Sequence, residues 1–134
     1  MKKMILASSL AISAILAHGS ADAAPKAASA PIQKLDTDND GTLDLNEIKS
    51  SVDNLFTSLE KDADGTLDAR ELRGKLSVKD LKAADPDSDK TLTKDELMSY
   101  VEALFKDVDA DTDGTIDAKE LKSKKGKTLL RLTQ

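Results

Sequence analysis

Two segments of the chain carry apolar residues at helical spacing. The first set is Ile48, Val52, Leu55, Phe56 and Leu59, and the second is Leu97, Val101, Leu104, Phe105 and Val108. Intervals of three and four residues place each set on one face of an α-helix. We interpret both faces as core packing and assign these residues no ligand role. Neither segment contains glycine or proline, so each is predicted to be one uninterrupted helix.

Polar segments of twelve residues flank these helices and repeat one pattern. Acidic residues alternate from position one, position six is usually glycine, position eight is aliphatic and position twelve is glutamate. The segments, loops one to four, are residues 36–47 (DTDNDGTLDLNE), 60–71 (EKDADGTLDARE), 85–96 (DPDSDKTLTKDE) and 109–120 (DADTDGTIDAKE). This is the pattern of an EF-hand loop. Solvated acidic surface, the alternative, would require neither the glycine nor the glutamate in register.

An EF-hand loop binds a cation through oxygens at positions one, three, five, seven, nine and twelve, with a backbone carbonyl at seven and a bidentate glutamate at twelve. The predicted metal ligands are Asp36, Asp38, Asp40, Thr42, Asp44 and Glu47 in loop one; Glu60, Asp62, Asp64, Thr66, Asp68 and Glu71 in loop two; Asp85, Asp87, Asp89, Thr91, Thr93 and Glu96 in loop three; and Asp109, Asp111, Asp113, Thr115, Asp117 and Glu120 in loop four.

Loops two and three depart from the pattern. Loop two begins with Glu60, one methylene longer than aspartate, so weaker binding is expected there. Loop three has Lys90 where glycine is expected, which adds a left-handed backbone penalty and a positive charge. Thr93 replaces its carboxylate at position nine. Loop three is therefore expected to be the weakest site.

The chain repeats with a period of 49 residues, so loops three and four are equivalent to loops one and two. Only 12 residues separate the loops of each pair, and one helix of about 18 Å fills that gap and holds them apart. In the middle connection, Gly74 is a helix stop and Ser77 a helix N-cap, which predicts two short helical pieces joined by a turn. An all-α bundle follows, with loops two and three paired at one end and loops one and four at the other. The expected contacts across short β-bridges are Leu67 with Leu92 and Leu43 with Ile116.

The first 23 residues have the pattern of a cleaved secretory signal peptide. Lys2 and Lys3 precede an apolar run over residues 4–17, and a small-residue cleavage signal ends at Ala23. A membrane anchor is the alternative, but a run of 14 residues that includes serines is short for a bilayer. We expect export to the bacterial periplasm and no membrane association after cleavage. A flexible leader over residues 24–34 would then precede a metal-binding domain over residues 35–134.

The amino-acid composition excludes several classes of enzyme and of metal site. Cleavage would lower the 20 basic and 25 acidic residues to 18 and 24, and would remove His18, the only histidine; the chain has no cysteine. Without His or Cys, most nucleophilic triads and common transition-metal sites are excluded, so we do not expect an enzyme. Aromatic residues are few, and so small a core is expected to be a weak source of stability.

The C-terminal residues 121–134 are basic and contain three leucines after residue 128. We interpret the charge as cations favoured at a helix end, and not as a nucleic-acid surface, because no aromatic residues are interleaved. Leu129, Leu130 and Leu132 either fold back onto the bundle or join a second subunit, which leaves a homodimer or a monomer open.

Carboxylate ligands select hard cations. Five carboxylates around a divalent ion leave a net charge of −3, so a trivalent ion of similar size is favoured on charge, and calcium is the alternative. Nineteen carboxylates stand at predicted ligand positions, and their repulsion opposes folding without metal. The chain is therefore expected to become ordered on metal binding.

The signal peptide, four loops, 12-residue helices and the segment GTLDARELRGKLSVKDLKAADPDSD resemble the lanmodulins, periplasmic lanthanide-binding proteins. The resemblance covers essentially the whole mature chain. It implies a compact three-helix core, a preference for lanthanide(III) ions over calcium, and ordering on binding. The best-known lanmodulins have proline at position two of every loop, whereas here only Pro86 does so, against Thr37, Lys61 and Ala110.

Two other functions use similar loops. A periplasmic calcium buffer or sensor would use the same residues as a lanthanide-binding protein. An interaction module like dockerin also builds paired calcium loops, but it carries two loops, against four here.

Overall fold

The computed structural model describes residues 29–134. Its elements in chain order are α1 (Ala30–Leu35), β1 (Leu43–Asp44), α2 (Leu45–Leu59), β2 (Thr66–Asp68), α3 (Val78–Ala84), β3 (Thr91–Thr93), α4 (Lys94–Val108), β4 (Thr115–Ile116), a short 3₁₀-helix (Glu120–Lys122) and α5 (Lys124–Arg131). The predicted signal peptide lies outside the described residues. No helix within them is long and apolar enough to cross a membrane.

Helices α2 and α4 are the long elements, and each has 15 residues. Both begin at a capping box, in which the side chain of Asp44 or Thr93 accepts the N–H of the glutamate three residues later, and that glutamate accepts the N–H of the cap. The uninterrupted helices predicted over residues 48–59 and 97–108 are therefore present, each with its start fixed by the preceding loop.

Two short antiparallel ladders connect the loops. Strand β1 pairs with β4, with Leu43 opposite Ile116, and β2 pairs with β3, with Leu67 opposite Leu92. All four of these apolar side chains are fully buried. Each ladder thus places two loops side by side, while its aliphatic residues at position eight extend the core. The core between the ladders is formed by the apolar faces of α2 and α4.

The fold differs from the expected three-helix core, because the described residues form five α-helices. Helix α1 lies within the leader that was expected to be flexible, and it begins at Ala30. Ile32 on this helix is fully buried, so burial of an apolar side chain stabilises a segment whose composition resembles a linker. The middle connection holds one helix, α3, preceded by a series of turns and not by a second helical piece.

The C-terminal helix α5 packs against α4 within the same chain. Leu129 and Leu132 are fully buried there. Gly126 allows α5 to lie close to the short 3₁₀-helix, since a Cβ at that position would lie 2.7 Å from the backbone of Leu121. The apolar residues of the tail therefore complete the core of their own subunit.

A polar cluster joins α3, α4 and α5. Tyr100 on α4 lies beside Asp80 on α3 and Arg131 on α5. Desolvation, followed by the charge of Asp80 and a hydrogen bond with it, raises the pKa of Tyr100 to about 12, against the opposing effect of Arg131. This phenol is the only tyrosine in the chain, so its titration reports on the packing of the three helices.

Spectrophotometric titration of the folded protein should give a Tyr100 pKa near 12. Because the folded pKa lies above the unfolded value near 10, the stabilising effect is present below pH 10 and is lost as pH rises toward 12. Asp80→Asn should lower this pKa, whereas Asp53→Asn, a control on α2, should leave it unchanged. An ordinary tyrosine pKa in the folded protein would contradict the packing of this cluster.

Candidate metal centres

Each loop contains two residues in the left-handed backbone region, at positions four and six. Position six is occupied by Gly41, Gly65, Lys90 and Gly114, and position four by Asn39, Ala63, Ser88 and Thr112. Sequence reasoning found position six through its glycines but missed position four. Asn39 is the only one of the four whose residue type favours this conformation. The two left-handed residues turn the chain tightly enough for alternate side chains to converge.

The carboxylates converge in all four loops. In each, three ligand oxygens lie within 4.8 Å of one another. In loops one and two the groups are formed by positions one, three and five, and in loops three and four by positions one, three and twelve: Asp36, Asp38 and Asp40; Glu60, Asp62 and Asp64; Asp85, Asp87 and Glu96; Asp109, Asp111 and Glu120. Twelve of the predicted ligands are thus brought together in groups that can hold a cation.

The threonine at position seven binds the carboxylate at position five. In loop one, both the N–H and the hydroxyl of Thr42 donate to Oδ1 of Asp40, at 2.8 and 2.6 Å. The same pair of bonds joins the equivalent residues of the other three loops. From sequence, only the backbone carbonyl of this threonine was assigned a role, as a metal ligand. The presence of threonine at position seven of every loop was the available signal for a role of the side chain.

The side chain at position nine accepts the backbone N–H of position twelve, and so caps the segment that follows each loop. Asp44 in loop one and Thr93 in loop three are the N-caps of α2 and α4. Asp68 accepts the N–H of Glu71 at 2.9 Å in the same manner, and the equivalent bond in loop four is also 2.9 Å. In the described structure these side chains hold the glutamate at position twelve near its loop.

The glutamate at position twelve closes the loop through both of its oxygens. Its Oε2 accepts the N–H of position nine in every loop, at 2.9 to 3.1 Å. In loops one, two and four, its Oε1 accepts the N–H of position two, from Thr37, Lys61 and Ala110. Proline has no N–H, so Pro86 cannot make this bond in loop three.

Asp85, at position one of loop three, has an oxygen that no protein group satisfies. The side chain is buried, and its Oδ2 accepts the N–H of Lys90 at 2.9 Å. Its Oδ1 is buried without a hydrogen-bond partner, the one such side-chain atom in residues 29–134. An unpaired buried carboxylate oxygen is costly. A hard cation would satisfy it, and the oxygen-only donor set of the loops fits that class of ion.

The pKa of Asp87, which belongs to the same acidic group as Asp85 in loop three, is also shifted. The N–H of Asp89 lowers this pKa, but desolvation, the side chain of Asp85 and the charges of Asp89 and Glu96 outweigh it, so the pKa is raised. The pKa of Asp38 in loop one is also raised: a backbone N–H lowers it, and desolvation and the neighbouring carboxylates outweigh that effect. The pKa values of Asp36 in loop one and Asp89 in loop three are lowered instead, because hydrogen bonds from neighbouring groups outweigh desolvation there.

A scan against known protein families matched the family described as EF hand, at residues 32–52 and 101–123. The first match runs from α1 through loop one into α2, and the second runs from α4 through loop four. These matches support an EF-hand protein. No curated protein matched the chain. Loops two and three lie outside the matched residues, and each also has three ligand oxygens within 4.8 Å of one another.

The matches and the four acidic groups together support binding of calcium or a similar metal ion. The fold explains how the sites arise, because each loop is anchored by its neighbouring helices and by one β-ladder.

We expect Glu120→Gln to weaken metal binding at loop four by at least about tenfold. Loss of a residue that merely orients a metal ligand costs about 10–100-fold, and Glu120 is itself a predicted ligand. Isothermal titration calorimetry with lanthanum and with calcium measures the change. Glu102→Gln is the matched control, since that side chain pairs with Lys49 on the helix surface. Equal binding by the two variants would contradict the assignment of Glu120.

Proposed function

We propose that the protein belongs with the lanmodulins and binds trivalent lanthanide ions in its four loops, with calcium bound more weakly. The observation that supports this function is the convergence of carboxylates in all four loops. Loops one, two and four each offer five carboxylates, so a divalent ion leaves −3 and a trivalent ion −2. At short distance the trivalent ion gains more Coulomb energy from the same oxygens.

The connections between loops support the same assignment. Helix α2 ends at Leu59, and loop two begins at the next residue; helix α4 ends at Val108, and loop four begins at the next residue. One helix is thus shared by two loops, with no second helix and turn between them. This short spacing is the most specific point of resemblance to the lanmodulins.

Metal binding would also supply much of the folding free energy. The ligand positions carry nineteen carboxylates, and within each acidic group the oxygens lie within 4.8 Å of one another. Neutralising these groups removes repulsion that a core with only three aromatic residues must otherwise overcome. Because the sites form only in the folded chain, the binding free energy becomes folding free energy.

The proposed setting is the periplasm, where the protein would sense, buffer or transport lanthanide ions. Carboxylate cages saturate their cation and leave no open coordination position, and after export the chain would have no histidine and no cysteine. We therefore propose a binding protein and not an enzyme.

A calcium buffer or sensor is the second candidate. Loop three supports this calcium-binding function, because Thr93 reduces its ligand carboxylates to four. The loop with calcium bound then has a net ligand charge of only −2. Its cation preference is therefore less biased toward trivalent ions than that of the other loops.

Metal-stripped protein should show low helix content by far-UV circular dichroism, and lanthanum should restore it at a lower free concentration than calcium. The reason is that binding free energy drives folding and grows with ion charge. The measurement is a pair of titrations at near-neutral pH with buffered free metal.

The control carries Glu→Gln at all four positions twelve, residues 47, 71, 96 and 120, and should require a free concentration of either ion at least about tenfold higher. Full helix content without metal would refute coupled folding. Equal midpoints for lanthanum and calcium would favour the calcium buffer or sensor.

A further inference from the structure

We propose that loop three is the first of the four loops to bind a hard cation, because Asp85, which forms an acidic group with Asp87 and Glu96, has a buried oxygen without a hydrogen-bond partner. The inference rests on the proposed metal binding and adds an order of occupation to it. It also reverses the ranking that Lys90 and Thr93 suggest from sequence, because it requires the unpaired oxygen of Asp85 to outweigh the carboxylate that Thr93 replaces.

Loop four provides the closest comparison. Asp109, at position one of loop four, is as buried as Asp85, since each residue has 8% of its surface exposed. In both loops the acidic group consists of positions one, three and twelve. Oδ1 of Asp109, however, accepts the N–H of Asp113 at 3.2 Å, whereas Oδ1 of Asp85 has no partner. A cation entering loop four competes with that hydrogen bond, and one entering loop three does not.

The glutamate at position twelve shows the same contrast. Oε1 of Glu120 accepts the N–H of Ala110 at 2.9 Å, and a cation that takes both oxygens of this carboxylate must weaken that bond. Pro86 removes the equivalent donor from loop three. Glu96 is still held by Thr93, whose N–H and hydroxyl both donate to Oε2, at 2.9 and 2.8 Å. Loop three therefore keeps its glutamate in place and leaves Oε1 without that competing donor.

The left-handed backbone of Lys90 does not oppose this order. Its φ is already 73°, and its N–H already donates to Asp85 at 2.9 Å. The strain of a non-glycine residue is therefore present in the described loop, so it lowers the stability of the fold and not the affinity of the folded site. The Lys90 side chain is exposed, and solvent and salt screen its charge.

The ligands of loops one and two are less preorganised for a cation than those of loop three. Their acidic groups are formed by positions one, three and five, so the glutamate at position twelve must still approach. In loop one, Oδ1 of Asp36 accepts the N–H of Asp40 at 3.2 Å, and Glu47 accepts the N–H and the hydroxyl of Thr37. Each of these bonds competes with a cation for a carboxylate oxygen.

The test follows the backbone N–H at position six, which donates to the carboxylate at position one in every loop, from Gly41, Gly65, Lys90 and Gly114. Each amide therefore reports its own site in ¹⁵N-resolved NMR spectra. Metal-stripped protein is titrated with lanthanum, and the intensity of each bound-state signal gives the occupation of that loop. We expect the Lys90 signal to reach half intensity at the lowest lanthanum concentration.

Two matched variants test whether the missing N–H at position two strengthens metal binding. Pro86→Ala restores an N–H at position two and should weaken loop three about two- to tenfold, the usual effect of one hydrogen bond. Ala110→Pro removes that N–H from loop four and should strengthen it by a similar factor. The residue before the substitution permits the second change, because Asp109 has ψ 86°, close to the 88° of Asp85 before Pro86.

The inference is overturned, with metal binding left intact, if the signal of Gly41, Gly65 or Gly114 reaches half intensity at a lower lanthanum concentration than that of Lys90. The same conclusion would follow if Pro86→Ala did not shift the Lys90 signal to a higher lanthanum concentration. No change at any of the four amides would instead refute the proposed metal binding itself.

Discussion

The structure depends on the confinement of several carboxylates within a few ångströms in each loop. Two left-handed residues turn the backbone, and backbone N–H groups and a threonine hydroxyl hold the carboxylates of the loop in position. These donors offset part of the repulsion between the carboxylates but cannot neutralise their charge. Such an arrangement favours the entry of a cation, and the unpaired oxygen of Asp85 shows where neutralisation is least complete.

The loops and the core depend on each other. Position nine caps the long helices, and position eight supplies the buried side chains of the two ladders, such as Leu43 and Ile116. A change in loop geometry is therefore transmitted to the start of a helix and to the interior. This arrangement explains how metal binding can act on the order of a domain that has little apolar surface to bury.

The tail and the first helix complete a core that the repeat alone leaves open. Ile32 on α1 and Leu129 and Leu132 near α5 are all fully buried, although none lies within the four loops or the two long helices. The polar cluster of Tyr100, Asp80 and Arg131 lies where the tail helix meets α3 and α4. The loops and the two long helices therefore supply the ligands and the centre of the core, and the segments before and after them enclose it.

The sequence by itself determined the long helices and the acidic loops, since helical spacing and the twelve-residue pattern are local properties of the chain. It could not determine helix α1, because Ile32 becomes a core residue only when other elements surround it. Nor could it show the left-handed position four, where Ala63, Ser88 and Thr112 follow the turn of the loop against their own preference. The unpaired oxygen of Asp85 could also be found only in the tertiary structure, because burial and the positions of nearby N–H groups decide whether a carboxylate oxygen has a hydrogen-bond partner.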